Sequence, residues 1–352
     1  MTEVAWFAAL CDDDYEFLGV PDPALQSSWN HCRNIVLRAE ANGFDNVLLP
    51  SGYALGLDAT AFAAAIAAET SLIKLLLAVR LGELVVPQLA RQIATLQQIA
   101  GGRLVINAIS SDVPGETMSS EARYQRTTET IGVLRTLLRG ERADFDGEYV
   151  TAHVDAPRIA VDHPHDPVVY FGGLSVAARQ CAAESCDVYL MWPDTTDQMR
   201  KVMREMDDRA AKFGRKLRYG WRSHVIVRDT EADARAAATQ LLSRLDAGTG
   251  EAIRARSLDS QSAGVARQSE LRQSADDDGY LERHLWTGVG RARSGAGIAI
   301  VGDPAQVAGK LCELRDAGVE TFILSGYPHL AECDLVARHV LPKLRSGRRL
   351  WS

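Results

Sequence analysis

The chain has 352 residues, 46% of them hydrophobic and 24% charged, with a formal net charge of -7. That length can bury a large core, and the mild acidity excludes the basic stripe that a nucleic-acid or anionic-membrane partner needs. No run has the unbroken apolar length of a membrane span, and the start MTEVAWFAALCDDDYE lacks the basic region of a secretion signal, so a cytoplasmic location is expected. The six cysteines form no CxxC and none stands at ligand spacing from a histidine, so neither a metal site nor a disulfide framework is predicted. Cys11, which follows the first apolar run where it should leave a sheet, reads as a plain unreactive thiol or as one that faces a pocket.

Short β-branched and apolar runs alternate with helix-length amphipathic segments, the pattern of βαβ units and a mainly parallel sheet. Val4 to Leu10 is the first run, with a helix expected over Pro23 to Asn42. Asn46 to Pro50 precedes the Ala-rich Thr60 to Thr70, Lys74 to Leu81 precedes Pro87 to Ala100, and Leu104 to Ile109 precedes Glu121 to Arg139. The stretch FDGEYVTAHV inside Asp144 to His163 predicts a small hairpin. Val168 to Phe171 then leads through Gly172-Gly173 to the helix Val176 to Ser185, and Asp187 to Met191 leads to Thr196 to Phe213. Arg218 to Arg228 leads to Glu231 to Leu245, and Thr321 to Leu324 leads to Leu330 to Leu344. Eight strand-helix units predict an α/β fold, a (β/α)8 TIM barrel forming a single domain over residues 1–352, although an open doubly wound sheet gives similar local signals.

One segment breaks the repeat. Ala247 to Arg283 is rich in Ser, Arg, Gln, Asp and Gly without a clean period, which predicts a long mobile lid, a binding loop or disorder, inserted over about residues 247–292 before strand 8. TGVGRARSGAGIAIVGDPAQV follows and opens a helix at about Pro304. It lacks both G-x-G-x-x-G directly after a strand and the G-K-[ST] ending, so a nucleotide P-loop is excluded.

In such a barrel the chemistry collects at the C-terminal ends of the strands. Those ends carry Ser51, Arg80, Asn107 with Ser110 and Ser111, Gly172 with Gly173, Trp192, Arg222 with His224, and Ser325 with Tyr327. Arg222 and His224, two apart in RYGWRSHVIVR, share one strand face with Gly220 and Ile226. A buried face has no use for a guanidinium and an imidazole unless an anion or a reactive group meets them; a half-exposed strand would simply leave them solvated. The turn Phe171-Gly172-Gly173-Leu174-Ser175 would let a ligand approach the backbone and offer helix N-H groups to a phosphate, and it also suits a plain tight turn.

YFGG at Tyr170, YLMW at Tyr189, RSHVIVR at Arg222, RSGAGIAIVGD at Arg293 and SGYPHL at Ser325 together resemble the signature segments of the FMNH2-dependent alkanesulfonate monooxygenases, in the bacterial luciferase-like superfamily. The resemblance covers nearly the whole chain. It implies a TIM barrel that receives reduced FMN from a separate NAD(P)H-dependent flavin reductase. With O2 as co-substrate, such an enzyme cleaves the C-S bond of a small organosulfur compound to sulfite and an aldehyde. It also implies His224, Arg222, Arg293, Tyr327 and Trp192 as catalytic residues, with Arg293 on the lid. Asn107, Tyr124, Gly172, Gly173, Leu174 and Ser175 are implied as the FMN site, and a homodimer or homotetramer as the assembly. Two arginines suit a sulfonate, and a lid that excludes water suits the oxygen chemistry.

Three departures stand out, two in loops expected to line the substrate side of the flavin and one in the phosphate turn. Where the family has P-T-G-R-S-C-E-D, this chain has PSGYALGLDAT from Pro50, without the cysteine. Cys11 and the run Asp12-Asp13-Asp14 stand where the family tends to have a histidine, and the turn reads GGLS instead of GGSS at Leu174. A rebuilt pocket is expected, for an alkanesulfonate, a sulfone, a differently substituted sulfonate or another small anion. The rival readings are an F420-dependent oxidoreductase of the same fold and a flavin-binding barrel without turnover.

Overall fold

Alternation of apolar side chains along each strand closes the sheet on itself and decides what faces inward. The structure is a computed structural model that describes residues 2–255 and 262–346. Its strands are β1 (Glu3–Phe7), β2 (Asn46–Leu49), β3 (Lys74–Arg80), β4 (Leu104–Ile109), β5 (Ala143–Asp146), β6 (Thr151–Val154), β7 (Val169–Phe171), β8 (Val188–Met191), β9 (Arg218–Val227), β10 (Tyr280–Glu282), β11 (Leu285–Trp286), β12 (Ala299–Gly302) and β13 (Thr321–Ser325). The helices are α1 (Trp29–Ala41), α2 (Ala59–Ala67), α3 (Val86–Ile99), α4 (Ser120–Leu138), α5 (Arg158–Asp162), α6 (Val176–Ser185), α7 (Thr196–Ala211), α8 (Glu231–Leu242), α9 (Ala247–Ala255), α10 (Ala263–Gln273), α11 (Pro304–Asp316), α12 (His329–His339) and α13 (Leu341–Ser346).

Parallel pairing runs β1-β2-β3-β4-β7-β8-β9-β13 and returns to β1, where Glu3, Val4 and Ala5 lie opposite Thr321, Phe322 and Ile323. That is the (β/α)8 barrel predicted from the repeat. On β1, Val4 and Trp6 join the outer core against the helices. Ala5 and Phe7 point inward and pack with Leu48, Leu76, Val105, Tyr170, Val188, Leu190 and Ile323. The β5-β6 hairpin forms where the sequence places it, with Asp144 opposite His153. Helix starts follow side-chain caps: Ser28, Asp58, Ser119, Ser175, Thr195, Thr230 and Asp303 each accept from an amide two or three residues on.

Two expectations need correction. The first helix begins at Trp29 and not at Pro23, because Asp12 and Ser27 hold each other: the Asp12 amide donates to Ser27 Oγ at 2.7 Å and the Ser27 amide to Asp12 Oδ1 at 2.8 Å. The chain between them is therefore a tied loop. The second correction concerns the insertion over 247–292, which is largely regular: it contains α9, α10, β10, β11 and a 3-10 turn over Gly288–Arg291. Residues 256–261, inside the expected lid, lie outside the described residues.

The insertion is built onto the barrel through β9, which is long enough to serve two sheets. Its first half pairs with β8 and with β13, up to His224 opposite Ser325. Its second half pairs with β12, from His224 opposite Ala299 to Val227 opposite Gly302. β11 and β10 then add antiparallel strands outside β12. The sequence reading had no strand at Ala299–Gly302. Among the described residues no helix is long and apolar enough to cross a membrane, and no cluster of metal-ligating side chains occurs.

Candidate active site

The face of β9 that carries Gly220, Arg222 and His224 is the barrel interior: Arg222 lies 4.4 Å over the ring of Phe7, one of the inward residues. Arg222 is 4% exposed, and its guanidinium donates only to neutral oxygens, to Ser223 O at 2.6 Å and to Ser325 Oγ at 2.9 Å. Burial, and then Arg293 nearby, pull its pKa down to about 9, which leaves it cationic at neutral pH. Ser325 Oγ is also 2.8 Å from His224 Nδ1. Ser325 thus bridges the guanidinium and the imidazole and fixes the ring through Nδ1.

His224 is 1% exposed. Burial, then Arg222 and Arg293, hold its pKa well below the usual histidine range, so it is neutral. Its Nε2 has no hydrogen-bond partner of good geometry, although the Ala296 carbonyl is near enough to favour a ring proton. The ring stacks on Tyr327 with centroids 5.1 Å apart. Tyr327 OH accepts from Arg293 Nη1 at 2.9 Å, and the same nitrogen donates to Asp13 Oδ2 at 2.8 Å. Burial raises the Tyr327 hydroxyl above its ordinary pKa, so it stays protonated. Burial also works against the charge on Arg293, but Tyr327 and Asp13 outweigh it and its pKa rises.

Arg293, implied as a lid residue, is thus tied to the loop after β1 and the loop after β13. Its side chain is 17% exposed and holds Asp13 and Tyr327 together, so removing it strands a buried carboxylate and costs stability. Asp13 and its neighbours were not legible as site residues, because nothing in the sequence tells which member of an aspartate run turns inward. Asp14 is buried between two histidines, 2.8 Å from His31 Nε2 and 2.9 Å from His329 Nδ1, and also accepts from the His329 amide at 3.0 Å. Burial would raise its pKa, but His329 and His31 reverse this and hold it below the carboxylate range.

The departures from the family pattern are neighbours in space. A Cβ on Gly52 would stand 3.2 Å from Cys11 Sγ, and one on Gly56, at φ +79, would collide with Leu10 O at 1.7 Å. The rebuilt loop thus packs on Cys11. Burial, then Asp13, push that thiol above its ordinary pKa, so it is not a thiolate nucleophile.

The predicted FMN residues form a second group. Tyr124 packs edge-on against Phe171 at 6.0 Å, and its hydroxyl comes within 3.7 Å of where a Cβ on Gly173 would stand. Cβ atoms on Gly172 and Gly173 would strike Leu190 O at 2.5 Å and Ala178 Cβ at 2.6 Å, so both glycines are required by the tight turn itself. Ser175 Oγ is taken by the Ala178 amide at 3.2 Å, and Leu174 is half-buried. Asn107 is half-buried on β4 opposite Tyr170. Trp192 follows β8 and lies beneath the insertion, 2.8 Å from where a Cβ on Gly264 would fall.

Several buried polar atoms at this end of the barrel have no partner, Asp13 Oδ1, Arg80 Nη1, Ser110 Oγ, Ser111 Oγ, His224 Nε2, Arg293 Nε and His329 Nε2, while others are scattered elsewhere, such as Asn46 Oδ1 and Arg215 Nε. Folded proteins satisfy most buried polar groups, so the ones at this end mark a place where a ligand completes the bonding. Two open clefts, of about 390 and 520 Å3, lie elsewhere, lined by residues such as Arg235 and Tyr280 or Asp303 and Arg338.

A (β/α)8 barrel whose covered mouth holds cations and unsatisfied donors has the makings of an enzyme for a small anion. Residues 17–321 match the family described as luciferase-like monooxygenase, and the chain belongs to that family. It is 60% identical to a sulfoquinovose monooxygenase of Novosphingobium aromaticivorans over 98% of this chain and 97% of that protein. It is 47% identical to a sulfoquinovose monooxygenase of Agrobacterium fabrum over 98% of this chain and 90% of that protein. A long-chain alkane monooxygenase structure shares the fold at TM-score 0.79 and 16% identity, over 99% of this chain and 92% of that one.

Proposed function

We propose that the chain is the oxygenase of a cytoplasmic two-component system that cleaves the C-S bond of a sulfonated sugar, with sulfoquinovose as substrate. It takes reduced FMN from a separate NAD(P)H-dependent flavin reductase and acts as a homodimer or homotetramer. The balance is R-CH2-SO3⁻ + FMNH2 + O2 giving R-CHO + HSO3⁻ + FMN + H2O. Arg222 carries this reading: a buried guanidinium bonded only to neutral oxygens, beside the unpartnered Nε2 of His224, is a site for a tetrahedral oxyanion. The names of the two close relatives support the sugar, and the rebuilt Ser51 to Leu57 loop agrees with a substrate other than a plain alkanesulfonate.

A bound flavin has partners to meet: the free hydroxyls of Ser110 and Ser111 after β4, Arg80 at the end of β3, and the Tyr124 hydroxyl at the Gly172-Gly173 turn. Asn107, Tyr124 and the turn from Gly172 through Leu174 to Ser175 would hold it. Reduced FMN would supply the two electrons that activate O2. Arg222 binds the sulfonate, and neutral His224 gives an Nε2 hydrogen bond to a developing oxyanion without competing for the sulfonate as a second charge. Tyr327, protonated and held by Arg293, donates or takes a proton at its hydroxyl. Trp192 packs beneath the insertion, which keeps water out.

The test supplies sulfoquinovose, oxygen, FMN and a flavin reductase and measures sulfite. Stoichiometric sulfite with an aldehyde is expected, and no sulfite would overturn the substrate. Reduced FMN should bind more tightly than oxidised FMN; binding of F420 in its place would overturn the cofactor.

A further inference from the structure

The carboxylate of Asp13 is only half engaged. Its Oδ2 accepts from Arg293 at 2.8 Å, while its Oδ1 is buried without a partner. The flanking aspartates are occupied: Asp12 Oδ1 accepts from the Ser27 amide, and Asp14 serves His31 and His329. A buried carboxylate oxygen without a donor is costly, so a ligand that brings a donor gains there.

Chemistry narrows the donor. A sulfonate has only acceptors and would be repelled by the carboxylate, so the sulfonate belongs on the Arg222 side and not here. A plain alkyl tail has no donor. A ring hydroxyl has one. The mouth is thus two-ended, with a guanidinium bonded only to neutral oxygens at Arg222, an unpartnered nitrogen at His224 Nε2 and an unsatisfied acceptor at Asp13, joined through the stacked Tyr327 and Arg293. We propose that Asp13 Oδ1 accepts a hydrogen bond from a ring hydroxyl of the substrate, which makes Asp13 the residue that selects a polyhydroxylated sulfonate over a plain alkanesulfonate. The inference rests on the sulfonated-sugar reading above.

The test is a cycle between enzyme and substrate. Sulfite-release kcat/KM is measured for sulfoquinovose and each of its monodeoxy analogues with the wild type, Asp13→Ala and Asp13→Asn, with melting curves to confirm folding. One deoxy analogue should cost the wild type on the order of 10²-fold or more, because a site built around a hydroxyl rejects the compound lacking it. Asp13→Ala should lose a similar factor with sulfoquinovose and be indifferent to that same deletion. Asp13→Asn, which retains an acceptor oxygen, should keep part of the discrimination. If every analogue falls by the same factor in Asp13→Ala as in the wild type, Asp13 only holds Arg293 and the proposal is overturned. A wild type that releases no sulfite from sulfoquinovose removes the substrate reading and this inference together, before any variant is compared.

Discussion

Arg103 and Arg222 stand at opposite ends of one barrel and are treated in opposite ways. Arg103, just before β4, donates four hydrogen bonds, to Thr70 Oγ1, Ile73 O, Ala67 O and Thr70 O. Beside it, Glu40 Oε1 accepts from the amides of Ser71, Leu72 and Ile73. At the other end, Arg222 is more deeply buried yet bonds to two neutral oxygens, and His224, Ser110 and Ser111 are left with unpartnered atoms. Arg103 ties chain to chain; Arg222 keeps bonding capacity for something that arrives later.

Arg222→Met should break the comparison most sharply. It is expected to lower kcat/KM by about 10²–10³-fold, the range for loss of one preorganised donor. The melting temperature should hold or rise, since an unpaired buried charge disappears. A large fall in melting temperature would show that both ends serve the fold. Arg103→Met is the mirror experiment: about 2–3 kcal/mol of stability lost in denaturant unfolding, with kcat/KM within about twofold. Ser325→Ala sharpens the active end. Losing the bridge between Arg222 and His224 should cost about tenfold in kcat, as expected for a hydrogen bond to a charged group, with the pH profile altered because Nδ1 is no longer fixed.

The smallest effect is in the pH dependence of stability. Burial raises the pKa of Glu40, but the three backbone amides outweigh it and hold the carboxyl below the usual range. A depressed carboxylate stabilises the fold above its ordinary pKa and loses that contribution as pH falls through the lower value, so Glu40→Gln should flatten the acid limb. Glu332, on α12 just behind the Tyr327 loop, behaves oppositely: burial, opposed by Arg228, raises it to about 7. Its contribution is present below the ordinary carboxylate range and fades as pH rises through about 7. Glu332→Gln should therefore remove a decline in melting temperature near neutral pH. Equal slopes in both variants would contradict the contrast.

What was legible in the sequence was local. Arg222 and His224 are two residues apart on one strand, so alternation alone puts them on one face, and eight strand-helix units imply closure. Ser325 meeting His224 spans 101 residues and Arg293 meeting Asp13 spans 280, and no local period carries such pairs. β12 was missed because AIVG is four residues among glycines, and it becomes a strand only because β9 supplies an edge. Arg293 carries no local sign of its anchoring either, because Asp13 stands 280 residues before it and Tyr327 34 residues after it.

Because β9 serves both sheets, the amide of His224 donates to Ile298 O at 3.1 Å while its side chain stands in the barrel mouth. That single amide is a built-in gauge. Any displacement of the insertion that breaks the Ile298 contact exposes it to deuterium exchange, while the neighbouring amides of β8 and β13 stay protected. Exchange at position 224 therefore separates motion of the insertion from unfolding of the barrel, and it does so at a residue whose side chain stands in the barrel mouth.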